Sequence, residues 1–276
     1  DTILAQALEN PEAVDVVLRL PDVVYSQETV GGYDFEALVQ AHRALEHTIA
    51  TRWASQWQTI FTAVNEKLSG VYQWTPRDAG LRRLRAIALK NLVRADAKNL
   101  DQAESLYRHA DNITDQMAAL GAMVQCASPK TELVLNDFYH KAKEHDLQLD
   151  RWFWLQEGRL SEDPLAHLQT MLQHEACDWR RPNRIMTTFA GWLTQHSSSV
   201  HCQSGKGYQF LAEAIIKLDA MNPSTASRLM KPLMRWRCYD DSRQELLQKA
   251  LQGIQAQAKS QNVQEKVMQA LGQEAS

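Results

Sequence analysis

Apolar residues recur every three or four positions along most of this chain, which is the period of an amphipathic α-helix. From Phe35 onward, Leu38, Val39, Leu45, Ile49, Trp53, Trp57, Ile60, Phe61, Val64 and Leu68 keep that spacing with no Pro or Gly between them. The pattern predicts one long helix or two nearly collinear ones. Leu81, Leu84, Ala88, Leu89 and Leu92 repeat it, with arginines assigned to the opposite face. Further helix starts are read from capping residues and prolines. They fall at Thr114 before Asp115, Ser128 before Pro129, Asp150, Ser161 before Pro164, Pro182, the Gly205–Gly207 break, Pro223, Tyr239-Asp240 and Asn262. Starts taken two apart lie about 35 residues apart, the length of a helix-turn-helix repeat unit, although no self-similarity accompanies the spacing. The expectation is an all-α fold: a superhelical solenoid of irregular antiparallel helix pairs, of the armadillo, HEAT or TPR kind. Residues 1–276 read as a single helical domain. Gln195 to Ser199 is a loop rather than a linker, and Gln255 to Ser276 is a last helix with a frayed end.

Composition narrows the class. Hydrophobic residues make up 44% and charged residues 23% of 276 positions, which excludes a disordered chain. With 11 Gly and 8 Pro there are too few turn formers for an all-β fold of this size. A formal net charge of -3 gives no electrostatic case for nucleic acid or an anionic membrane as partner. No apolar run approaches the roughly 20 residues of a membrane span. The start Asp1-Thr2-Ile3-Leu4 carries neither a signal-peptide pattern nor an initiator methionine, so a processed or excised chain is expected. Cys126, Cys177, Cys202 and Cys238 show no paired spacing. They read as buried or semi-buried thiols of a reducing compartment, the cytoplasm.

Few residues offer chemistry. His174-Glu175-Ala176-Cys177-Asp178 is a zinc-protease helix pattern with the second histidine replaced by aspartate, and Trp179 to Pro182 lead the chain out of any helix there. It reads as coincidence. Gly205-Lys206-Gly207-Tyr208 lacks the rest of a phosphate loop and reads as a helix entry. Arg77, Arg82, Arg83, Arg85, Lys90 and Arg94 read as a solvated helix face. Trp152 and Trp154 are expected in the core. Arg184 and Arg228 remain. Each follows a helix start of the Pro-Asn or Asn-Pro type, where proline gives up an amide hydrogen the helix could not use. A guanidinium set on such a start is held at a fixed point, either for an internal ion pair or for a ligand.

An ordered set of stretches resembles the C-terminal helical domain of bacterial aminopeptidase N. These are Asn112-Ile113-Thr114-Asp115 with Ala118-Ala119-Leu120, Leu149-Asp150-Arg151-Trp152-Phe153 with Leu155-Gln156, and Pro182-Asn183-Arg184-Ile185. Gly207-Tyr208 with Phe210-Leu211, Asn222-Pro223 with Ala226-Ser227-Arg228-Leu229, and Tyr239-Asp240 with Arg243 complete it. Leu18-Arg19-Leu20-Pro21 and Thr48-Ile49-Ala50 agree more loosely. The resemblance implies a helical superhelix packed on a thermolysin-like catalytic domain of the same polypeptide. In the family, zinc is held in that other domain by a His-Glu-x-x-His helix and a distant Glu. This chain would then hold no catalytic residue and no cofactor. It would close over the active site, admit short peptides and help position their carboxyl end. The implied substrate-binding residues are Arg228, facing the peptide carboxylate, with Ser224, Asn222 and Arg184. Bacterial members often carry Gln at position 224, Arg-x-Arg where this chain has Arg184-Ile185-Met186, and an acid where it has Ser204. Two other readings stay open: a free-standing helical scaffold binding proteins, and a metallohydrolase using His174 and Glu175.

Overall fold

A computed structural model of the chain describes residues 2–18, 20–30 and 34–272. Asp1, Arg19 of the looser match and the last four residues of the C-terminal stretch lie outside the described residues. No strand occurs among the described residues, and the chain is all-α as expected. It forms two compact units, Asp1–Pro21 with His42–Ala142, and Asp22–Ala41 with Lys143–Ser276.

The first unit contains α1 (Thr2–Gln6), α2 (Pro11–Leu18) and, beyond α3 (Val23–Val30), most of α4 (Phe35–Arg52). It continues with α5 (Ala54–Lys67), α6 (Pro76–Ala95), α7 (Leu100–His109), α8 (Ile113–Met123) and α9 (Pro129–Ala142). The predicted run from Phe35 to Leu68 is therefore two helices that break at Trp53. Leu45, assigned to its apolar stripe, is exposed. Helix α6 packs on α2, α5 and α8 and buries Leu81, Leu84, Ala88, Leu89 and Leu92.

Arg82 and Arg85 correct the solvated-face reading, which holds for the exposed Arg77 and Arg83. Arg82 and Arg85 are only 7% and 5% exposed, and both turn toward Asp115 of α8. Arg82 also donates to the Gln73 carbonyl at 3.1 Å and covers the Tyr72 ring, while Arg85 donates to Asn65 Oδ1 at 3.1 Å. Arg94 meets Glu46 at 3.0 Å. Asp115 itself sits one turn into α8, whose cap is Asn112 rather than Thr114: the Asn112 Oδ1 accepts the Asp115 amide at 3.0 Å.

The second unit holds α3, the start of α4, and α10 (Asp146–Glu157), α11 (Pro164–Leu172), α12 (Pro182–Gln195) and α13 (Ser197–Val200). It ends with α14 (Lys206–Asp219), α15 (Pro223–Leu229), α16 (Lys231–Met234), α17 (Asp241–Gln257) and α18 (Gln261–Leu271). From α10 onward the main packing is between helices close in sequence: α10 on α12, α14 on α15 and α17, and α17 on α18. That local order is the one helical-repeat stacks use. Phe189, Trp192, Leu211, Ile215, Leu247 and Ile254 form the centre of one core, and each contributes about 1.5–3 kcal/mol by leaving water.

Prolines place the starts of α11, α12 and α15 as predicted, with Asp163 and Asn222 supplying the side-chain caps of α11 and α15. Gly205 caps α14 with φ of 71°, a left-handed conformation natural to glycine. Asp150 was read as a start but lies inside α10, and Ser260, not Asn262, caps α18. Trp152 is buried as expected, whereas Trp154 lies 36% exposed.

Helices α10 and α12 approach closely at Gly191, where an added Cβ would come within 2.5 Å of the Glu157 Cβ. Glu157 is fully buried, and neither carboxylate oxygen has a hydrogen-bond partner. Burial alone pushes its pKa up from 4.5 to about 8, so the folded chain holds it neutral at moderate pH. Between pH 4.5 and 8 the unfolded chain has lost this proton while the folded chain keeps it. Stability therefore falls as pH rises through that window. Glu157→Gln should be more stable than the parent at pH 8, by a margin of about 1–3 kcal/mol that shrinks toward pH 5. Thermal melts of both proteins from pH 5 to 8 measure it; parallel pH profiles would show that Glu157 ionises freely in the fold.

Candidate functional site

The best-exposed candidate residues lie on α15. The end of α14 is anchored first: Asp219 accepts the Lys259 and Ser260 amides at 2.6 and 3.1 Å, and the Ser260 hydroxyl. Burial acts against the Asp219 charge, but these donors outweigh it and hold the carboxyl below its usual range. Asn222 then caps α15, its Oδ1 accepting the Thr225 amide at 3.0 Å, and Pro223 takes the first helical position. Such a cap is worth about 1 kcal/mol. Thr225, Ala226, Ser227 and Leu229 turn inward, and α15 packs on α14, α12 and α18. Lys266 of α18 donates to the Ser227 carbonyl at 2.8 Å, tying the same turn from behind.

Ser224 and Arg228 are left exposed, four residues apart and so on one face of the helix. The Arg228 side chain makes no ion pair or hydrogen bond among the described residues. The face can receive a carboxylate, because a guanidinium presents a planar fork of donors that matches one bidentately.

Arg184 is placed differently. It is 2% exposed, paired with Asp150 of α10, and donates to the Ala176 carbonyl. Asp146 lies 3.6 Å away, and the guanidinium covers the Phe153 ring at 5.2 Å. Its donors already tie the start of α12 to α10 and to the loop before it.

Sequence reasoning missed a second buried centre. His201, 2% exposed, has Nδ1 2.9 Å from the Tyr208 hydroxyl and Nε2 3.2 Å from that of Tyr239, on which it stacks. Arg243 donates to the His201 carbonyl at 2.8 Å and pairs with Asp240 and Glu36. Burial first, and the Arg243 charge second, push the His201 pKa down to about 3, so the ring stays neutral. Tyr208, Tyr239, Asp240 and Arg243 belong to the matching stretches, but no sequence signal singles out His201 or Glu36. His201, Tyr208, Tyr239 and Arg243 are closed to solvent, with Asp240 and Glu36 at the partly exposed rim, and the centre supports structure.

His174 follows the end of α11, accepts the Ala176 amide at 3.1 Å and contacts the rings of Trp152 and Phe153. Among the described residues no group of three or more His, Cys, Asp or Glu side chains is arranged to hold a metal ion. The four cysteines are free and half-buried. No helix among the described residues is long and apolar enough to cross a membrane.

Helices stacked on near neighbours in sequence, without strands, define an ARM-repeat class of protein. The chain belongs to the family described as "Domain of unknown function (DUF3458_C) ARM repeats", which matches residues 1–272. It is similar to the aminopeptidase N of Escherichia coli (strain K12), 30% identical over 264 residues that make up 95% of this chain and 30% of that protein. The aminopeptidase N of Caulobacter vibrioides is 33% identical over 245 residues, or 86% of this chain and 28% of the relative. That of Haemophilus influenzae is 29% identical over 243 residues, or 88% and 28%. This chain thus spans less than a third of the length of these curated relatives. The crystal structure of Legionella pneumophila aminopeptidase A in complex with aspartic acid shares the fold over 98% of this chain and 33% of its own, with a TM-score of 0.85 and 23% identity. The likeness to the C-terminal helical domain of aminopeptidase N, read from the residues, holds along the whole chain.

Proposed function

We propose that residues 1–276 act as one non-catalytic C-terminal domain of a zinc-dependent aminopeptidase that removes N-terminal residues from short peptides. In this reading the domain closes over an active site carried by the rest of the same polypeptide. It limits access to short peptides and receives their carboxyl end. In this reading zinc belongs to that other part. The setting is cytoplasmic, with no nucleic acid or membrane partner.

The observation that carries the reading is Arg228. In a chain aligned with aminopeptidases over most of its length, this cation stands exposed and unpaired on a helix start fixed by Asn222 and Pro223. Ser224, one turn before it, lines the approach, and Asn222 holds the helix start through its cap. Arg184 enters as a positioning residue, because its guanidinium is already engaged by Asp150 and Ala176.

A charge-assisted pair in a site shielded from water contributes about 1.5–3 kcal/mol. In the intact polypeptide, Arg228→Ala should therefore raise KM for short free-carboxyl peptides at least about tenfold, with kcat little changed. KM for uncharged aminoacyl amides should stay within about twofold. Equal effects on the two substrate types would remove the carboxylate role.

A further inference from the structure

Beyond Arg228, the same helical face continues into α16. Met230, between the two helices, keeps right-handed helical dihedrals (φ -69°, ψ -14°), and Pro232, which has no amide to donate, ends α15 there. Ser224, Arg228 and Lys231 consequently recur at i, i+4 and i+7, with Arg235 just past the end of α16, and all four are exposed, while Ala226, Leu229, Met230 and Leu233 are buried. Between Asp219 and Asp240 the chain has no acidic residue and carries Arg228, Lys231, Arg235 and Arg237, although its net charge is -3. Two of these cations are occupied: Arg235 lies 3.5 Å from Glu28, and Arg237 donates to the Ala270 carbonyl at 2.9 Å. Neither Arg228 nor Lys231 has an ion pair among the described residues. Residues three apart on a helix present their Cβ atoms about 5–6 Å from each other.

We propose that Lys231 forms a second anion subsite beside Arg228 and sets a preference for peptides with an acidic side chain next to the free carboxyl end. The inference rests on the carboxylate role proposed for Arg228. The two carboxylates on the last residue of such a peptide lie close enough together for one each to be met by two long cationic side chains whose Cβ atoms are about 5–6 Å apart. Arg228, with its planar fork, takes the terminal carboxylate, and Lys231, a compact charge on a flexible stem, takes the side chain. Glu28 does not compete, being engaged with Arg235.

The test is a comparison of KM, in the intact polypeptide that completes the Arg228 site, for Ala-Ala-Asp and Ala-Ala-Asn. KM for Ala-Ala-Asp should be about two- to fivefold lower, the range for one exposed ion pair. Lys231→Gln should bring that ratio to one while leaving KM for Ala-Ala-Asn unchanged, and Lys231→Glu should invert it. A parent ratio of one, or a ratio that survives Lys231→Gln, would overturn the subsite. Arg228→Ala separates the two ideas. If it raises KM for Ala-Ala-Asn while the ratio was one from the start, only the Lys231 subsite falls. If it leaves KM for Ala-Ala-Asn unchanged, the carboxylate role of Arg228 falls as well.

Discussion

Replacing Arg243 with alanine is expected to destabilise the chain by about 2–3 kcal/mol: the guanidinium is buried, but its two carboxylate partners are each 37% exposed, which brings the cost below that of a fully buried ion pair. Arg243 is 3% exposed, and its guanidinium joins Asp240, Glu36 and the His201 carbonyl while covering Phe35. Burial opposes its charge, but the bonds to Asp240 and Glu36 prevail and keep it protonated. The truncation would strip two carboxylates and a buried carbonyl of their donor at once. Arg243→Lys should recover only part of the loss, since an ammonium cannot span all three acceptors.

The pH profile carries a second signature. His201 stays neutral in the fold with a pKa of about 3, against 6.5 when free. From pH 6.5 down to 3 the unfolded chain gains a proton that the folded chain refuses, so stability is lost as pH falls. Burial supplies most of that shift and Arg243 the rest. The alanine variant should therefore lose less stability than the parent on acidification. Urea melts at pH 7 and pH 5 give both numbers, and a loss under 1 kcal/mol at pH 7 would show the centre to be dispensable.

The second large effect is expected in the first unit, at Asp115. Asp115→Asn preserves shape but leaves Arg82 and Arg85 as buried cations without their acid, at a cost of about 3–5 kcal/mol. The contact with Arg85 is Coulombic rather than a well-aligned hydrogen bond, since the facing oxygen and nitrogen satisfy no bonding geometry. The cost is therefore mainly that of stranded charge. Arg85→Met in the Asp115→Asn background should restore more than 1 kcal/mol, because an apolar chain of similar length needs no counter-charge there. A double-mutant cycle in urea reads the coupling, and strict additivity would mean that the pair does not interact.

Both centres show where the sequence ran out. Helix starts were legible because proline and its preceding cap act within one turn: Pro164, Pro182 and Pro223 all begin helices. Several caps fell two residues away, Asn112 for Thr114 and Ser260 for Asn262, since neighbouring polar residues share the same capping chemistry. Periodicity marks the apolar face but cannot show that a long cation is turned inward by an acid in another helix. Arg82 and Arg85 were therefore assigned to solvent, and Asp150 to a helix start, when each is half of a buried pair. Glu36 and Arg243 lie more than two hundred positions apart, beyond any local pattern. Several polar residues that carry the family resemblance, among them Asn112, Asp115, Asp150, Arg184, Asn222, Asp240 and Arg243, prove to be such latches and caps. Arg228 differs from them in that its side chain has no ion pair or hydrogen bond among the described residues.

The most direct test of the covering role places a thiol at the exposed face. Ser224→Cys should react with a maleimide in the isolated 276-residue chain like an open thiol, after subtraction of the four native cysteines measured in the parent. In the intact polypeptide the same thiol should react at least tenfold more slowly, and a free-carboxyl tripeptide should slow it further while its amide should not. Equal rates in the two settings, indifferent to peptide, would mean that this surface of the stacked helices covers nothing.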